Sequence, residues 1–230
     1  VIVPAASLPG PLASLAPSLG ITVVAAHLDH GLRGGDSAGD RAFVVAQCER
    51  LGVRLISTRI DSTARLRARG WSGEAGLRRL RRAFLLRAAR RVNALVIATA
   101  HTADDQLETL LMRLARGTGL TGLGGMRPRH GVWCKPMLTI ARAAVRRDLA
   151  AAHLEWREDS SNATRAHLRN RIRLDVVPAL VAALEPATTA ATRARRGEAL
   201  AIAAERAAGR LREARSALAR EAADALTRCR

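Results

Sequence analysis

Aromatic residues and cysteine are scarce in this sequence, and each of these two scarcities argues against a class of protein. Two phenylalanines, three tryptophans and no tyrosine occur among 230 residues, so a base-stacking platform for single-stranded nucleic acid is not expected. Cys48, Cys134 and Cys229 are too few and too scattered for a disulfide framework and form no C-x-x-C pair, so a thiol-held zinc or iron–sulfur site has no support. We therefore predict a reduced, cytoplasmic chain and assign no metal ligands.

Long apolar runs are also missing. No stretch of about eighteen uninterrupted apolar residues occurs, so neither a transmembrane helix nor a membrane partner is predicted. The first segment, 1–20, is apolar but contains four prolines and no basic residue, which is not typical of a signal peptide. With 48% hydrophobic residues, the chain can bury the core of one α/β domain with a small appendage.

Positive charge is what the sequence has in excess. Of 38 basic residues Lys135 is the one lysine, which leaves 37 arginines, and the formal net charge is +18. Ten arginines against the single acid Glu74 give the segment 64–91 a net charge of +9. Arginine forks match phosphate oxygens, and a basic surface releases counterions when it binds nucleic acid, so the charge favours a nucleic-acid partner.

The order of apolar patterns predicts an α/β fold. Apolar, β-branched runs predict strands at 1–3, 21–26, 53–60 and 94–100, and helical periodicity predicts helices at 36–51, 74–92, 103–116, 140–154, 166–184 and 188–220. Strands that alternate with helices predict a Rossmann-like parallel sheet with helices on both faces, followed by a helical C-terminal region. We place the boundary at Pro186, which separates 1–185 from 186–230.

Two polar clusters follow predicted strands. The first contains His27, Asp29 and His30, and the second, 100–109, includes His101, Asp104, Asp105 and Glu108. Ligands of open parallel sheets bind beyond the carboxyl ends of the strands, so the two clusters could face each other.

In the helix that contains the second cluster, apolar periodicity predicts a buried stripe, and Asp105 and Glu108 lie on the opposite side, towards a cleft or water. The buried stripe consists of Leu107, Leu110, Leu111 and Leu114. A purely structural interpretation is also open, since acids in a first turn complement the helix dipole and Thr102 is a suitable N-cap.

A metallo-hydrolase is a weaker hypothesis. The His-x-Asp-His pattern at 27–30 is similar to half of the ligand motif of metallo-β-lactamase-like hydrolases, and imidazole with carboxylate suits zinc. Ala25 stands where the first histidine of that motif is expected, and the predicted parallel sheet does not fit that fold.

Six motifs occur in order along the chain: HLDHGLR (27–33), GEAGLRRLRRAF (73–84), ATAHTADDQLETLLMRLARGTGLTGLGGM (98–126), KPML (135–138), WREDSSN (156–162) and RNRIR…VVP (169–178). With these motifs the chain resembles the tRNA(Ile)-lysidine synthetases of the N-type ATP pyrophosphatase, or PP-loop, superfamily. The similarity spans about 21–178, and the block at 98–126 is highly specific. The resemblance implies an adenine nucleotide alpha hydrolase-like fold, with a catalytic domain at 1–185 and a tRNA-binding region at 186–230.

The resemblance implies a two-step ligase reaction. ATP, with Mg²⁺, would adenylate the wobble cytidine of an isoleucine tRNA, and the ε-amine of free L-lysine would then displace AMP to give lysidine. In this reaction Asp105 and Glu108 would hold the ammonium groups of lysine. Together with His101 and Arg81 they are the catalytic candidates.

The remaining site residues follow from the same motifs. One group would line the nucleotide pocket: Asp29, His30, His101 and Asp104. The other would contact tRNA or ATP phosphates: Arg78, Arg81, Arg169 and Arg173.

One family motif is missing from this sequence. The Ser-Gly-Gly-x-Asp-Ser phosphate loop is expected after the first strand, where Pro4–Pro9 stands instead. Three functions therefore stay open: an active ligase, an inactive or truncated tRNA-binding relative, and a tRNA thiolase, which is disfavoured because thiolases carry paired cysteines. A homodimer is also left open.

Overall fold

The computed structural model describes residues 1–4, 9–31, 35–156, 164–184 and 189–228. These residues form two compact units. One unit contains the β-sheet, and the other is helical. None of the helices in the described ranges is long and apolar enough to cross a membrane.

The first unit is built on a six-stranded, mostly parallel sheet. Its strands are β1 (Ile2–Pro4), β2 (Val24–Asp29), β3 (Arg54–Arg59), β4 (Ile97–Ala98), β5 (Arg129–His130) and β6 (Trp133–Cys134). The strand order is β3-β2-β1-β4-β6-β5, and only β5 runs antiparallel to its neighbour. The central strand β1 is fully buried at Ile2 and Val3, as expected for a strand flanked on both sides in a parallel sheet.

Four helices of the described residues belong to this unit: α1 (Pro9–Leu15), α2 (Gly35–Arg50), α3 (Ser62–Arg67) and α4 (Gly73–Arg91). Although α4 is strongly basic, Leu80, Phe84 and Ala88 recur at a spacing of four residues and are buried. Phe84 and Ala88 belong to a core cluster with Ile2 of β1 and Val24 of β2. One apolar stripe of α4 therefore packs against the sheet, and the arginine-rich face of the helix is exposed to solvent.

The second unit is helical. It contains α5 (Ala103–Leu114), α6 (Leu120–Leu123), α7 (Arg142–Ala151), α8 (Leu168–Arg171), a π-helical turn (Ile172–Val176), α9 (Val177–Leu184) and the long α10 (Ala190–Arg228). Small residues permit close packing of α5 on α10, since Ala103 and Ala201 are fully buried beside Leu107.

Polar side chains also fix α5 to α10 and to the loop after α6. Gln106 is fully buried; it donates to Glu205 (2.6 Å) and accepts from the Met126 amide (2.7 Å). Arg212 donates to the carbonyls of Gly124 and Met126 and to Glu205. Gly125 has φ +59°, and a Cβ there would lie 2.6 Å from the Gln106 side chain, so this turn requires glycine.

The predicted fold class is confirmed: the chain has a Rossmann-like parallel sheet and a helical C-terminal region. The strand predicted at 21–26 was placed three residues too early, because His27 and Asp29 pair with β3 and extend β2 instead of forming a loop. The run 94–100 forms only the two-residue β4, and Leu95 is 85% exposed. The division at 185/186 stays a prediction, since 185–188 lie outside the described residues.

Other differences are shorter elements that apolar periodicity does not detect. The β5–β6 hairpin and α3 were not predicted, and the helix predicted at 166–184 begins at Leu168 and contains the π-helical turn. The predicted strand at 1–3 is β1, one residue later than expected.

Candidate active site

The second polar cluster of the sequence begins α5. Asp105 accepts hydrogen bonds from the Thr102 amide (2.8 Å) and the Thr102 hydroxyl (3.0 Å) through Oδ2. The side chain of Asp104 instead accepts a hydrogen bond from the backbone amide of Arg142 (2.6 Å) at the start of α7. Both acids therefore help to hold helix N-termini, as the structural interpretation of this motif expects.

Glu108, one turn further along α5, lies under three arginines. Its side chain is 2% exposed. Arg173 binds both carboxylate oxygens (Nε–Oε1 2.7 Å, Nη2–Oε2 3.1 Å), Arg169 donates to Oε2 (2.6 Å), and Arg142 donates to Oε1 (3.3 Å). A buried carboxylate needs such partners, because an unpaired charge at this depth is strongly destabilising.

Asp105 shares the same arginines. Its Oδ1 lies 2.8 Å from Arg169 Nη2 and 3.3 Å from Arg142 Nη2. Burial raises the pKa of Asp105, but Arg169, Arg142 and the Thr102 amide outweigh burial, and a smaller contribution comes from His101, so the pKa lies below its ordinary value. We call the five residues Asp105, Glu108, Arg142, Arg169 and Arg173 the acid–arginine cluster.

The cluster corrects the predicted orientation of α5. The sequence pattern placed Asp105 and Glu108 towards a cleft or water, but Glu108 is buried. It also placed Leu114 in the buried stripe, and Leu114 is 55% exposed. The helical pattern does not separate the buried face of α5 from its exposed face, because Gln106 and Glu108 are both buried. Basic side chains from elsewhere in the sequence cover Glu108, which the local pattern does not show.

Arg142 was missed by the sequence analysis. The predicted helix began at residue 140, so the sequence pattern did not mark Arg142, which the structure shows to be the first residue of α7. A cation at a helix N-terminus is electrostatically disfavoured. The carboxylates of Asp105 and Glu108 offset that cost by pairing with its guanidinium group.

The first polar cluster lies in the sheet unit, at the end of β2. Asp29 is 4% exposed; its Oδ1 accepts from the Gly31 amide (2.8 Å) and its Oδ2 is 3.6 Å from Arg59 Nε. His30 Nδ1 is 2.9 Å from the hydroxyl of Ser62, which is fully buried. These contacts fix both predicted nucleotide-pocket residues, and their role in nucleotide binding stays a prediction.

His27 shares this region. Burial lowers its pKa; the carboxylate of Asp29 opposes this effect, and the guanidinium of Arg81 adds to it. The guanidinium group of Arg81 therefore lies close enough to His27 on β2 to lower the pKa of its imidazole.

The exposed face of α4 carries the predicted phosphate-binding arginines of the sheet unit. Arg78 and Arg81 are exposed. Further arginines stack on tryptophan rings: Arg79 and Arg69 lie 5.4 and 5.7 Å from the centre of the Trp71 ring, and Arg82 lies 4.4 Å from that of Trp133. Such stacking orients a guanidinium and leaves its charge in place.

The predicted site residues thus fall into two groups. Asp105, Glu108, Arg169 and Arg173 meet within the helical unit, where His101 and Asp104 also lie. Asp29, His30, Arg78 and Arg81 belong to the sheet unit. Their functional roles stay predictions.

Within the described ranges, no group of three or more histidine, cysteine, aspartate or glutamate side chains is arranged to hold a metal ion. Mg²⁺ at nucleotide sites needs fewer protein ligands, since it is commonly held by one or two carboxylates together with substrate phosphates.

The parallel sheet and the helical C-terminal region define an α/β protein of the Rossmann-like class. The sequence model described as the PP-loop domain matches residues 6–180, and the chain belongs to that family.

The relatives narrow the class further. A tRNA(Ile)-lysidine synthase of Treponema pallidum is 41% identical over 177 residues, which are 74% of this chain and 37% of that protein. The protein of the same name from Thermus thermophilus is 45% identical over 169 residues (74% and 33%), and that of Deinococcus radiodurans is 43% identical over 173 residues (75% and 29%). The resemblance to this group is confirmed. The chain spans about a third of the length of these curated relatives.

A solved structure confirms the fold alone. The chain is similar to the U34-tRNA thiolase NcsA from Methanococcus maripaludis with its [4Fe-4S] cluster, with a TM-score of 0.62 and 16% identity. The match covers 90% of this chain and 70% of that one.

Proposed function

We propose that this chain supplies the catalytic part of a lysidine-forming tRNA ligase. In the first step ATP would adenylate the wobble cytidine of an isoleucine tRNA and release pyrophosphate. In the second, the ε-amine of L-lysine would displace AMP. The observation that supports this proposal best is the acid–arginine cluster, since it unites the acids of the motif at 98–126 with the arginines of the motif at 169–173.

The cluster has the chemistry that both steps require. Phosphoryl oxygens develop negative charge during adenylation and again when AMP leaves, and preorganised guanidinium groups stabilise that charge. The lysine substrate carries two ammonium groups, for which Asp105 and Glu108 provide carboxylates. The depressed pKa of Asp105 keeps its carboxylate ionised at neutral pH.

The sheet unit would contribute to binding the large substrates. Asp29 and His30 are our candidates for nucleotide contacts within this unit. The arginine-rich face of α4, which includes Arg78 and Arg81, is our candidate for tRNA phosphates. The proposed partners are ATP with Mg²⁺, a tRNA(Ile) with a wobble cytidine, and free L-lysine in the cytoplasm.

An inactive tRNA-binding relative is the second candidate, and a specific observation favours it. No Ser-Gly-Gly-x-Asp-Ser loop occurs in this sequence, and Pro4–Pro9 stands at that point. Proline donates no backbone N–H to a phosphate.

The test uses a chimaera in which residues 1–20 are replaced by the matching segment of the Thermus thermophilus relative, provided that segment carries the family loop. Labelled lysine should be transferred to tRNA(Ile) with a wobble cytidine, and transfer should require ATP. The control tRNA differs by a uridine at the wobble position. Equal labelling of both tRNAs, or no labelling of either, would contradict the proposed ligase.

The role of the acids is tested in the same chimaera. Glu108→Gln should raise the KM for lysine while pyrophosphate release in the first step is largely retained. Loss of both half-reactions to the same extent would indicate that Glu108 supports the fold or the ATP site instead.

A further inference from the structure

The carboxylates proposed for lysine are already fully engaged. Glu108 accepts from two guanidinium groups at each oxygen. Asp105 accepts from Thr102 at Oδ2 and from Arg142 and Arg169 at Oδ1. A carboxylate offers about four acceptor positions, so an ammonium group can bind either acid only where an arginine gives up its place.

The arginines are the accessible members of the cluster. Their side chains are 22–26% exposed, against 2% for Glu108 and 15% for Asp105. Asp104 accepts from the Arg142 amide and its charge also acts on Arg173, so three carboxylates balance the three guanidinium groups. The guanidinium groups lie nearer to solvent than the acids of the cluster, and a ligand that arrives from solvent therefore meets positive charge first, which attracts phosphate and repels ammonium.

We infer that the cluster is a coupled site: a phosphate-bearing ligand draws Arg169 and Arg173 off Asp105 and Glu108, and the two acids released in this way accept the ammonium groups of lysine. The inference rests on the proposed function, because it takes lysine and phosphate as the ligands. It extends that function by assigning an energetic coupling between the two ligands and by adding Arg142 as a third anion-binding arginine.

The two ligands should stabilise each other's binding for a simple electrostatic reason. When an anion takes the arginines alone, it leaves a 2%-exposed carboxylate without its cations, and an ammonium that displaces arginines alone leaves guanidinium groups unpaired. With both ligands present, each charge keeps a partner. Such coupling is reciprocal, so each ligand must raise the affinity of the other by the same factor.

Calorimetric titration of the 230-residue chain tests this coupling. L-lysine is titrated with and without saturating pyrophosphate, and pyrophosphate is titrated with and without saturating lysine. We expect pyrophosphate to strengthen lysine binding at least about tenfold, within the usual range of coupling between two ligands, and lysine to strengthen pyrophosphate binding equally. L-norleucine, which lacks the ε-amine, serves as the control ligand and should show much weaker coupling.

Arginine variants test whether the coupling between lysine and pyrophosphate depends on the acid–arginine cluster. Arg173→Met should bind lysine without help from pyrophosphate, so that the coupling factor falls several-fold, and Arg173→Lys should retain part of it. Arg147→Met removes an exposed arginine of α7 that pairs with Glu198 outside the cluster, and its coupling should match that of the unchanged chain. Each variant is first compared with the unchanged chain by thermal unfolding.

The outcomes separate the two proposals. Lysine binding of equal strength with and without pyrophosphate, or weaker binding with it, would overturn the coupled site while leaving the proposed substrate intact. Failure of lysine to bind in either condition would overturn the proposed substrate and the coupled site together. No measurable binding of pyrophosphate at millimolar concentration would overturn the coupled site alone.

Discussion

Two groups of arginines in this protein show how differently one residue type can be used. The arginines of α4 lie on an exposed face, in a segment that carries ten arginines and one acid. Those of the acid–arginine cluster are about a quarter exposed and bind two carboxylates of α5. Amino-acid composition does not distinguish these two groups, because it counts every arginine in the same way.

The two groups differ in what the protein would lose if the charge of one arginine were removed. An exposed arginine is solvated and screened, so it contributes little to stability and mainly attracts polyanions. An arginine over a buried carboxylate is part of the fold, because its loss leaves the acid uncompensated.

The largest effect concerns the backbone N–H donors of the phosphate loop, which neither group of arginines can replace. Backbone N–H donors of a glycine-rich loop usually cradle ATP phosphates at a helix N-terminus, and Pro4 and Pro9 have no N–H to donate. Loss of one preorganised donor costs about a hundredfold or more in rate. We therefore expect the 230-residue chain to bind tRNA but to make lysidine at least about a hundredfold more slowly than its Thermus thermophilus relative.

AMP release with tRNA, lysine, ATP and Mg²⁺ measures this rate. The chimaera with the family loop serves as the positive control. Turnover of the unchanged chain close to that of the relative would show that arginines do substitute for the loop.

The second prediction concerns stability. Glu108→Ala should lower the free energy of unfolding by about 2–3 kcal/mol, less than for a fully buried pair, because the three guanidinium groups that lose their shared acid are partly exposed to solvent. Glu198→Ala is the matched control, since it removes a glutamate from the exposed pair with Arg147, and we expect a loss of about 1 kcal/mol or less. Urea unfolding followed by circular dichroism measures both, and equal losses would break the contrast between buried and exposed arginine pairs.

The third prediction concerns tRNA. Binding should weaken steeply with salt, and the double variant Arg78→Ala/Arg81→Ala should reduce the slope of log Kd against log salt by about 2, one for each lost phosphate contact. The apolar stripe of α4 is untouched, so thermal stability should be unchanged. Filter binding from about 50 to 200 mM salt gives the slope, and an unchanged slope would exclude these two residues from the tRNA surface.

The sequence predicted the fold class because its apolar runs and helical periodicity are strong, and it predicted the candidate residues because the motifs are specific. It did not predict the pairing of Glu108 with Arg169 and Arg173, which are more than 60 residues away along the chain. Pairing of charges over that distance depends on how the helices pack, which local pattern does not encode. The burial of Gln106 against Glu205 escaped prediction for the same reason.

The smallest effect compares acid titration in the two units. The pKa of His27 lies below its ordinary value of 6.5 because burial disfavours its charged form, and the pKa of Asp105 lies below its ordinary value of 3.8 because Arg169 and Arg142 outweigh its burial. In both cases the folded state binds protons less readily than the unfolded state, so stability falls as pH falls.

The windows differ, and that difference is measurable. The His27 contribution is complete above pH 6.5 and is lost as pH drops from there through its lowered pKa, whereas the Asp105 contribution persists until pH drops below 3.8. His27→Gln should therefore flatten the dependence of the unfolding free energy on pH just below 6.5, and Asp105→Asn should flatten it only below 3.8. Urea unfolding at closely spaced pH values distinguishes the two windows, and a single window shared by both variants would contradict the assignment of these shifts to separate local environments.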